Sequence, residues 1–212
     1  MAPRAVFWDM DGTLIDSEPL HDEALAVVLD SLGLKPPPDL HQRILGQSAH
    51  AVYTMFATEF GVDLPFEEWI ARKYAHYLAE APRLKPREGA MEIFRELDDA
   101  GAAQAIVSNS DRLVVDANLR AVGLQRSGFR SISRNDVRFG KPDPEPFLRA
   151  AWLAQVDPAE CFVMEDSFTG ASAGIAAGMK TVFWPQVLPA TGPNGAISTL
   201  TATDVRRVLG LS

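Results

Sequence analysis

The chain has 212 residues, 47% of them hydrophobic, which suits one large domain or a domain with an insertion and supplies enough apolar side chains for a core. Its formal charge of -8 and pI near 5.0 exclude a strongly basic surface, so neither nucleic acid nor an anionic membrane is expected as a partner. The single cysteine, Cys161, excludes an internal disulfide framework and is expected in a buried strand. The first strand begins too early for a signal peptide and no apolar run is long enough for a membrane span, so the sequence predicts a cytoplasmic protein.

The first predicted element is a strand over residues 5–8, an apolar run that ends in the acidic loop Asp9-Met10-Asp11-Gly12-Thr13. Alternation along the strand places Asp9 and Asp11 on the same side, where two carboxylates repel each other unless a cation lies between them. Because open α/β sheets bind ligands at the carboxyl ends of their strands, this loop is a candidate metal site. Taken alone, the motif also fits an ordinary polar turn.

Residues 16–82 then change to a mainly helical pattern. Asp16 or Ser17 can cap a first helix whose apolar residues recur at three- and four-residue spacing until Gly33, and the prolines at 36–38 enforce a loop. Further helices are predicted over 40–45, 49–60 and 66–81. The sequence therefore predicts a helical cap inserted over residues 16–82, called the helical insert below, and an α/β core formed by residues 1–15 and 83–212.

From residue 83 onward strand and helix patterns alternate, which is typical of right-handed βαβ units in a parallel sheet. Helices are predicted over 88–100, 112–122, 145–154 and 203–209, with Asp111 as the cap of the second, and strands over 104–107, 131–133, 161–164 and 181–184. Gly170, Gly174 and Gly178 recur at four-residue spacing, which predicts a helix that packs closely against the sheet. A loop rich in proline and glycine is predicted over 186–195.

Polar side chains follow the predicted strands and can converge on one edge of the sheet, although they lie far apart in the chain. They supply carboxylates for a metal ion and for a nucleophile, a hydroxyl with backbone N–H groups, and an ammonium group. This set suits a phosphoryl group, whose oxygens are bound by the cation and the N–H groups while a carboxylate attacks the phosphorus. The residues concerned are Asp9, Asp11, Ser108, Asn109, Lys141, Glu165 and Asp166.

These residues stand in four motifs: Asp-X-Asp-Gly-Thr from Asp9, a serine at Ser108, Lys-Pro-Asp-Pro from Lys141 and Glu-Asp-Ser-X-X-Gly from Glu165. The motifs and their order resemble those of the haloacid dehalogenase superfamily, and the helical insert is similar to the cap of its β-phosphoglucomutase and phosphatase-like subgroup. The resemblance implies a Rossmann-like α/β core of parallel strands with an inserted α-helical cap domain. It also implies a phosphatase whose partner is a small, sugar-phosphate-like monoester.

The resemblance further implies a role for each motif residue. Asp9 matches the nucleophile that becomes an aspartyl phosphate, and Asp11 matches an acid/base, which needs burial or a neighbouring charge to keep a proton near neutral pH. Ser108 and the Asn109 N–H match phosphate-binding groups, while Lys141 matches a lysine that pairs with both nucleophile and phosphate. The implied cofactor is Mg²⁺, with Asp9, the Asp11 carbonyl oxygen and Asp166 as ligands. Glu165, the first of two consecutive acids, either joins these ligands or points away from the site.

Three other functions compete with a phosphatase. Dehalogenases of this superfamily dispense with the second aspartate of the first motif, so Asp11 argues against them. A β-phosphoglucomutase-like sugar-phosphate mutase fits the insert, but the chain has Ala49 and Asp111 where the mutases carry an arginine and a lysine. A catalytically silent binding module would have lost a motif residue, and here none is missing.

Substrate specificity is expected to lie on the insert around residues 46–50, and the default oligomeric state is a monomer. His21 fits either a residue near the hinge of the insert or a surface histidine. Ser110 and Thr169 are expected to be helix caps only, and Tyr74 to pack within the insert or to lie on its surface.

Overall fold

The computed structural model describes residues 3–45, 47–125, 127–186 and 191–211. Gly46 of the expected specificity loop and residues 187–190 of the predicted loop over 186–195 lie outside them. Within the described residues the strands are β1 (Ala5–Trp8), β2 (Ala103–Val107), β3 (Arg130–Ile132), β4 (Cys161–Glu165), β5 (Lys180–Phe183) and β6 (Ile197–Ser198). They form one parallel sheet in the order β3-β2-β1-β4-β5-β6.

The helices of the described residues fall into an inserted group and a core group. The inserted group, between β1 and β2, comprises α1 (Glu18–Ser31), α2 (Leu40–Ile44), α3 (Ala49–Glu59) and α4 (Phe66–Glu80). The core group comprises α5 (Ala90–Asp99), α6 (Arg112–Ala121), α7 (Glu145–Ala154), α8 (Phe168–Ala176) and α9 (Ala202–Leu209). Short 3₁₀ turns lie at Ala81–Arg83, Arg134–Asp136 and Pro158–Glu160.

The central strand β1 is buried on both faces, which explains its continuous apolar sequence. Val6 and Trp8 pack in a cluster with residues of α5, α6 and α9 on one face of the sheet. Ala5 and Phe7 pack in a second cluster with residues of α7 and α8 on the other face. The core is therefore a three-layer α/β/α arrangement, as the alternating pattern predicts.

The helical insert has an apolar cluster of its own, which includes Leu25, Phe56 and Trp69. The two segments that join it to the core run side by side, because the Asp16 N–H donates to the Lys85 carbonyl at 3.0 Å. The predicted fold class, a parallel-sheet core with an inserted set of helices, is confirmed. The division into domains at residues 16 and 82 stays a prediction.

Two local expectations differ from the structure. The edge strand β6 was not predicted, because two residues that follow a loop rich in proline and glycine are too few to carry a recognisable strand pattern. Asp111 precedes α6 but forms no side-chain cap there. Instead the Arg112 N–H donates to Asn135 Oδ1 at 2.7 Å, and the Asp111 carboxylate accepts the hydroxyl of Tyr74 at 2.7 Å.

Gly170, Gly174 and Gly178 were expected to lie close to the sheet, and the first two do so. A Cβ at Gly170 would overlap the Glu165 carboxylate, and one at Gly174 would lie 2.6 Å from Thr181 Oγ1. For Gly178 the prediction is wrong, since this residue follows the end of α8 with φ of +74° and a Cβ there would meet open space. Its role is to end the helix in the left-handed region, where glycine carries no steric penalty.

Cys161 lies at the start of β4 and is fully buried, as expected from the sequence. Burial, reinforced by the charges of Asp157 and Glu160, raises the pKa of its thiol to about 11. Over the described ranges, no helix combines the length and the apolar character that crossing a membrane requires.

Candidate active site

The carboxyl ends of β1, β2 and β4 lie level with one another at a single edge of the sheet. Trp8, the last residue of β1, pairs with Ile106 of β2 and with Met164 of β4. The strands β2 and β3 lie on one side of β1, and the strands β4 to β6 lie on its other side, so the strand order changes direction at β1. Such a switch point opens a crevice for ligands. The cleft at this point is lined by Asp9, Asp11, Ser108, Asn109, Lys141 and Asp166, and the seventh motif residue, Glu165, is buried directly beneath it.

The Lys141 ammonium group lies between two carboxylates. Its Nζ donates to Asp9 Oδ1 and to Glu165 Oε1, each at 2.5 Å. Burial alone would lower the pKa of Lys141, but the charges of Asp9 and Glu165 outweigh it and raise the pKa above its usual range. Lys141 therefore stays protonated and places a fixed positive charge beside Asp9.

Asp9, Glu165 and Asp166 form a buried acidic cluster, with one carboxylate oxygen from each lying within 4.8 Å of the others. Burial and the Glu165 charge raise the pKa of Asp9 to about 8, against the opposing effect of Lys141. Burial and the charges of Asp9 and Glu165 likewise raise the pKa of Asp166 well above its usual range. This repulsion is what a small divalent cation would relieve, and the all-oxygen donor set fits Mg²⁺.

Two glycines make room for this cluster. Gly12 has φ of +80°, and a Cβ there would overlap Oδ2 of Asp166. Gly170, at the start of α8, leaves the space that the Glu165 carboxylate occupies. The glutamate is also fixed by the Ser167 hydroxyl, which donates to Oε2 at 3.0 Å. The Glu165 side chain therefore points into the acidic cluster and not away from the site.

The Asp11 carboxylate stands apart from the acidic cluster, so a part in binding the cation would fall to its main-chain carbonyl oxygen. Its Oδ1 accepts from Ser17 Oγ at 2.6 Å and from Asn118 Nδ2 at 3.1 Å, and lies 3.3 Å from His21 Nε2. Its Oδ2 accepts from Ser110 Oγ at 2.7 Å and from Ser108 Oγ at 3.3 Å.

These partners determine the protonation of Asp11. Burial would raise the pKa of its carboxyl, but the His21 charge and the hydrogen bonds from His21, Ser17 and Ser110 outweigh burial and lower the pKa to about 2. The sequence-based expectation that burial or a neighbouring charge keeps a proton on Asp11 thus differs from the structure. The reason is that the positive charge of His21 and the hydroxyl donors stabilise the ionised form of Asp11, and a sequence pattern does not reveal these neighbours.

Ser108 and Asn109 occupy the loop after β2. The Ser108 hydroxyl accepts the Ser110 N–H at 2.9 Å, which shapes the loop around the cleft. The Asn109 side chain binds the main chain of Lys141 twice, with its Nδ2 donating to the carbonyl at 3.0 Å and its Oδ1 accepting the N–H at 2.8 Å. Asn109 therefore also anchors the lysine loop, a role that the motif comparison did not suggest.

The helical insert closes the other side of the cleft with Glu18 of α1, Lys73 and Tyr74 of α4, the loop residue Gln47, and Ala49 at the start of α3. Lys73 is only 7% exposed. Within the described part of the chain its ammonium forms neither a hydrogen bond nor an ion pair, and burial lowers its pKa against the opposing charges of Glu18 and Asp11. Burial and the charges of Asp11 and Asp9 raise the pKa of Glu18 to about 8.

Sequence reasoning missed Lys73, Glu18 and Asn118, and it took Ser17 and Ser110 for helix caps only. One signal was available for Lys73, because it lies four residues from Trp69 and from Tyr77 on the face of α4 that is buried. A lysine between two aromatic residues at this spacing indicates a cation that faces the interior. The other residues carry no comparable signal, since serine and asparagine are common on helix surfaces and in loops.

Residues 3–178 match a family model described as haloacid dehalogenase-like hydrolase. The chain is 30% identical over 183 residues to the bifunctional riboflavin kinase/FMN phosphatase of Arabidopsis thaliana, and the match covers 86% of this chain and 48% of that protein. It is also 30% identical over 183 residues to the phosphorylated carbohydrates phosphatase of Thermotoga maritima, with 85% and 84% of the two chains covered. The chain thus spans about half the length of the first relative.

Among solved structures, the chain resembles a hydrolase of this family from Deinococcus radiodurans R1, crystallised with bound phosphate and sodium. The TM-score is 0.72 at 30% identity, and the match covers 99% of this chain and 96% of that one. The family and the hydrolase class inferred from the four motifs are confirmed by these matches, and so is the fold.

Proposed function

Because the chain belongs to the haloacid dehalogenase-like hydrolases, we propose that it is a Mg²⁺-dependent phosphatase that hydrolyses a small, sugar-phosphate-like monoester through an aspartyl phosphate on Asp9. The observation that carries the proposal is the position of Lys141 Nζ, 2.5 Å from both Asp9 and Glu165 and beside the Ser108 loop. A nucleophile, a cation and phosphate-binding groups are thus assembled in one cleft.

The residues that would hold Mg²⁺ are Asp9, Glu165 and Asp166 with their carboxylates, and Asp11 with its main-chain carbonyl. When bound, Mg²⁺ neutralises charge on the phosphoryl oxygens and keeps Asp9 ionised. Lys141 balances the remaining charge of Asp9 and Glu165, so that an anionic substrate can approach a chain whose formal charge is -8.

In the first step an Asp9 carboxylate oxygen attacks the phosphorus and forms a P–O bond, while the bond to the leaving oxygen breaks. Asp11 gives that oxygen a proton, and the alcohol departs. In the second step a water oxygen attacks the phosphorus, Asp11 takes the proton of that water, and the P–O bond to Asp9 breaks. Inorganic phosphate, the Asp9 carboxylate and a protonated Asp11 result, which is the state before the first step, so atoms and charge balance.

Asp11 must acquire a proton before the first step, although its pKa is about 2 in the free site. A phosphate dianion that binds near Ser108 and Ser110 draws their hydroxyls away from Asp11 Oδ2 and adds a negative charge beside it. Both changes raise the pKa of Asp11. Asp11 therefore acquires, when the substrate binds, the proton that it later gives to the leaving oxygen.

The insert side of the cleft supports a polyhydroxylated leaving group. Glu18 and Lys73 provide buried groups that can bind hydroxyls, and one relative is named a phosphorylated carbohydrates phosphatase. Lys73 also keeps a sugar-phosphate mutase as the second candidate. It provides a cation for a second phosphate, although it does not stand at the positions of Ala49 and Asp111, where the mutases carry theirs.

We include in this proposal that residues 16–82 move as a cap and exclude water while the first step takes place. The support is the separate apolar cluster of the insert and the adjacent linking segments at Asp16 and Lys85. The monomeric state, the cytoplasmic location and the lack of a nucleic-acid or membrane partner stay predictions.

A panel of phosphate esters separates the candidates. We expect release of inorganic phosphate from at least one sugar phosphate in the presence of Mg²⁺ and none after chelation by EDTA, because the acidic cluster then lacks its counter-ion. Isomerised sugar phosphate without release of phosphate would favour the mutase. Full activity in EDTA, or no turnover of any ester, would contradict the proposed phosphatase.

Lys73→Met tests the insert side of the cleft. We expect kcat/KM for the preferred sugar phosphate to fall about 10- to 100-fold, the loss of one buried charge-assisted hydrogen bond, with little change for methyl phosphate. The Tm should stay level or rise, since a buried unpaired charge is replaced by an apolar side chain of similar length. The matched control is the exposed Lys35→Met, and equal losses on both esters would place Lys73 outside the specificity site.

A further inference from the structure

The two oxygens of the Asp11 carboxylate have different kinds of partner. Oδ2 accepts from Ser108 and Ser110, whose loop borders the phosphate side of the cleft. Oδ1 is bound by Ser17 and Asn118 and lies 3.3 Å from His21 Nε2. An acid/base needs one oxygen on the substrate side, where it can exchange a proton, and the other held in place by the protein. Oδ2 meets the first requirement once bound phosphate takes over the hydroxyls of Ser108 and Ser110, and Oδ1 meets the second.

Asn118 is the rigid partner of Oδ1. It lies on α6, is fully buried, and donates from Nδ2 at 3.1 Å. Its own Oδ1 accepts the hydroxyl of Tyr77 at 3.1 Å, and Tyr77 is also fully buried. A flipped amide would turn its carbonyl oxygen toward the Asp11 carboxylate, where two acceptors repel, so the tyrosine and the carboxylate together fix its orientation.

Tyr77 belongs to the helical insert, whereas Asn118 and Asp11 belong to the core. The ring of Tyr77 also packs against His21 with the centroids 4.4 Å apart, which fixes the position of its hydroxyl. Lys73 lies four residues earlier on α4, on the same helix face. The face of α4 that borders the cleft is thus also linked to Asp11, because Tyr77 binds the amide of Asn118 and that amide binds Asp11.

We infer that Asn118 and Tyr77 are a positioning pair for Asp11, an inference that rests on the proposed phosphatase function. Asn118 anchors Oδ1 so that Oδ2 points at the leaving oxygen, and Tyr77 fixes the amide of Asn118. Because Tyr77 is on α4 of the insert and Asn118 is on α6 of the core, the orientation of Asp11 depends on how α4 packs against α6. Neither residue touches the reacting atoms.

The kinetic test compares two esters with Asn118→Leu, Tyr77→Phe and the double variant. An alkyl phosphate needs a proton on its leaving oxygen, whereas p-nitrophenyl phosphate does not. We expect Asn118→Leu to lower kcat/KM about tenfold or more for the alkyl ester and less than about twofold for the nitrophenyl ester. Tyr77→Phe should give a smaller loss of the same kind, and the double variant should lose no more than Asn118→Leu, since the tyrosine acts through the amide.

Gln104→Leu is the matched control. Gln104 is a buried amide that accepts from Trp8 Nε1 and donates to the Phe94 carbonyl, each at 3.0 Å, and it does not border the cleft. Removing it should lower Tm as removing Asn118 does, but change kcat/KM for both esters equally or not at all. Should Asn118→Leu fail to fold, Tyr77→Phe carries the comparison, because it keeps the aromatic ring.

A second measurement does not depend on activity. NMR three-bond couplings report the χ1 rotamer of Asp11, and we expect a single rotamer in the wild type and in Gln104→Leu but a mixture in Asn118→Leu. An unchanged single rotamer in Asn118→Leu and in Tyr77→Phe, or equal losses on the two esters, overturns the positioning role. A wild type that hydrolyses neither ester contradicts the phosphatase function instead, and the rotamer measurement still decides the role of Asn118.

Discussion

Asp9→Asn is expected to lower phosphate release by a factor on the order of 10⁴ or more, because it removes the attacking carboxylate while keeping the shape of the side chain. The same variant should make the metal-free protein more stable. The pKa of Asp9 is raised from 3.8 to about 8, so its ionisation in the folded state costs stability that grows as the pH rises between these values. In EDTA, Tm of the variant should exceed that of the wild type at about pH 8, and the difference should vanish near pH 4.

The control for this prediction is Asp63→Asn, which changes the net charge equally at an exposed position. It should alter neither activity nor the pH dependence of Tm. Asp9→Asn protein that still releases phosphate at the wild-type rate would refute the nucleophile. A lower metal-free Tm of Asp9→Asn would show instead that the attraction between Lys141 and Asp9 stabilises the fold more than the repulsion among the carboxylates destabilises it.

Lys141→Ala is the second large change. We expect kcat/KM to fall by the equivalent of roughly 2–4 kcal/mol of lost transition-state stabilisation, as for other preorganised charges. Most of the loss should be in kcat. Asp9 and Glu165 would then lie buried without their cation, so the metal-free Tm should fall, which is opposite in sign to the effect of Asp9→Asn. Added Mg²⁺ should recover part of the lost Tm but little of the lost kcat.

The matched control is the exposed Lys180→Ala, since Lys180 begins β5 and lies outside the cleft. A Lys141→Ala variant with nearly unchanged kcat/KM would place the lysine outside the chemistry, whatever its contacts. Equal metal-free Tm values for Lys141→Ala and wild type would contradict the assignment of its ammonium as the counter-ion of the acidic cluster.

The parts of the site that follow strands could be predicted from the sequence. Asp9, Ser108 and Glu165 each terminate an apolar run, and parallel strands bring such ends to one edge without further information. Lys141 and Asp166 were found through the motifs that surround them. The glycine pattern of α8 was informative where the sheet is close, at Gly170 and Gly174, and misleading at Gly178, where the helix has ended.

The remaining parts depend on packing between distant segments. The protonation of Asp11 is determined by His21, Ser17 and Ser110, which become its neighbours only when α1 and the loop after β2 lie beside the first loop. The aromatic residues around Lys73 indicate that it faces the interior, but only the packing of α4 beside the cleft brings its ammonium group to the site. Asp111 fits a cap by sequence, but the hydroxyl of Tyr74 occupies its carboxylate.

The buried thiol of Cys161 has a practical consequence for measuring motion of the insert. Maleimide dyes react with thiolates, and a thiol with its pKa near 11 in a fully buried strand supplies almost none at neutral pH. Cysteines introduced at exposed positions such as Glu67 on α4 and Arg149 on α7 can therefore carry a donor and an acceptor dye in the otherwise native chain. Single-molecule energy transfer between them would follow the distance from insert to core in real time, with the native cysteine left in place to keep β4 packed.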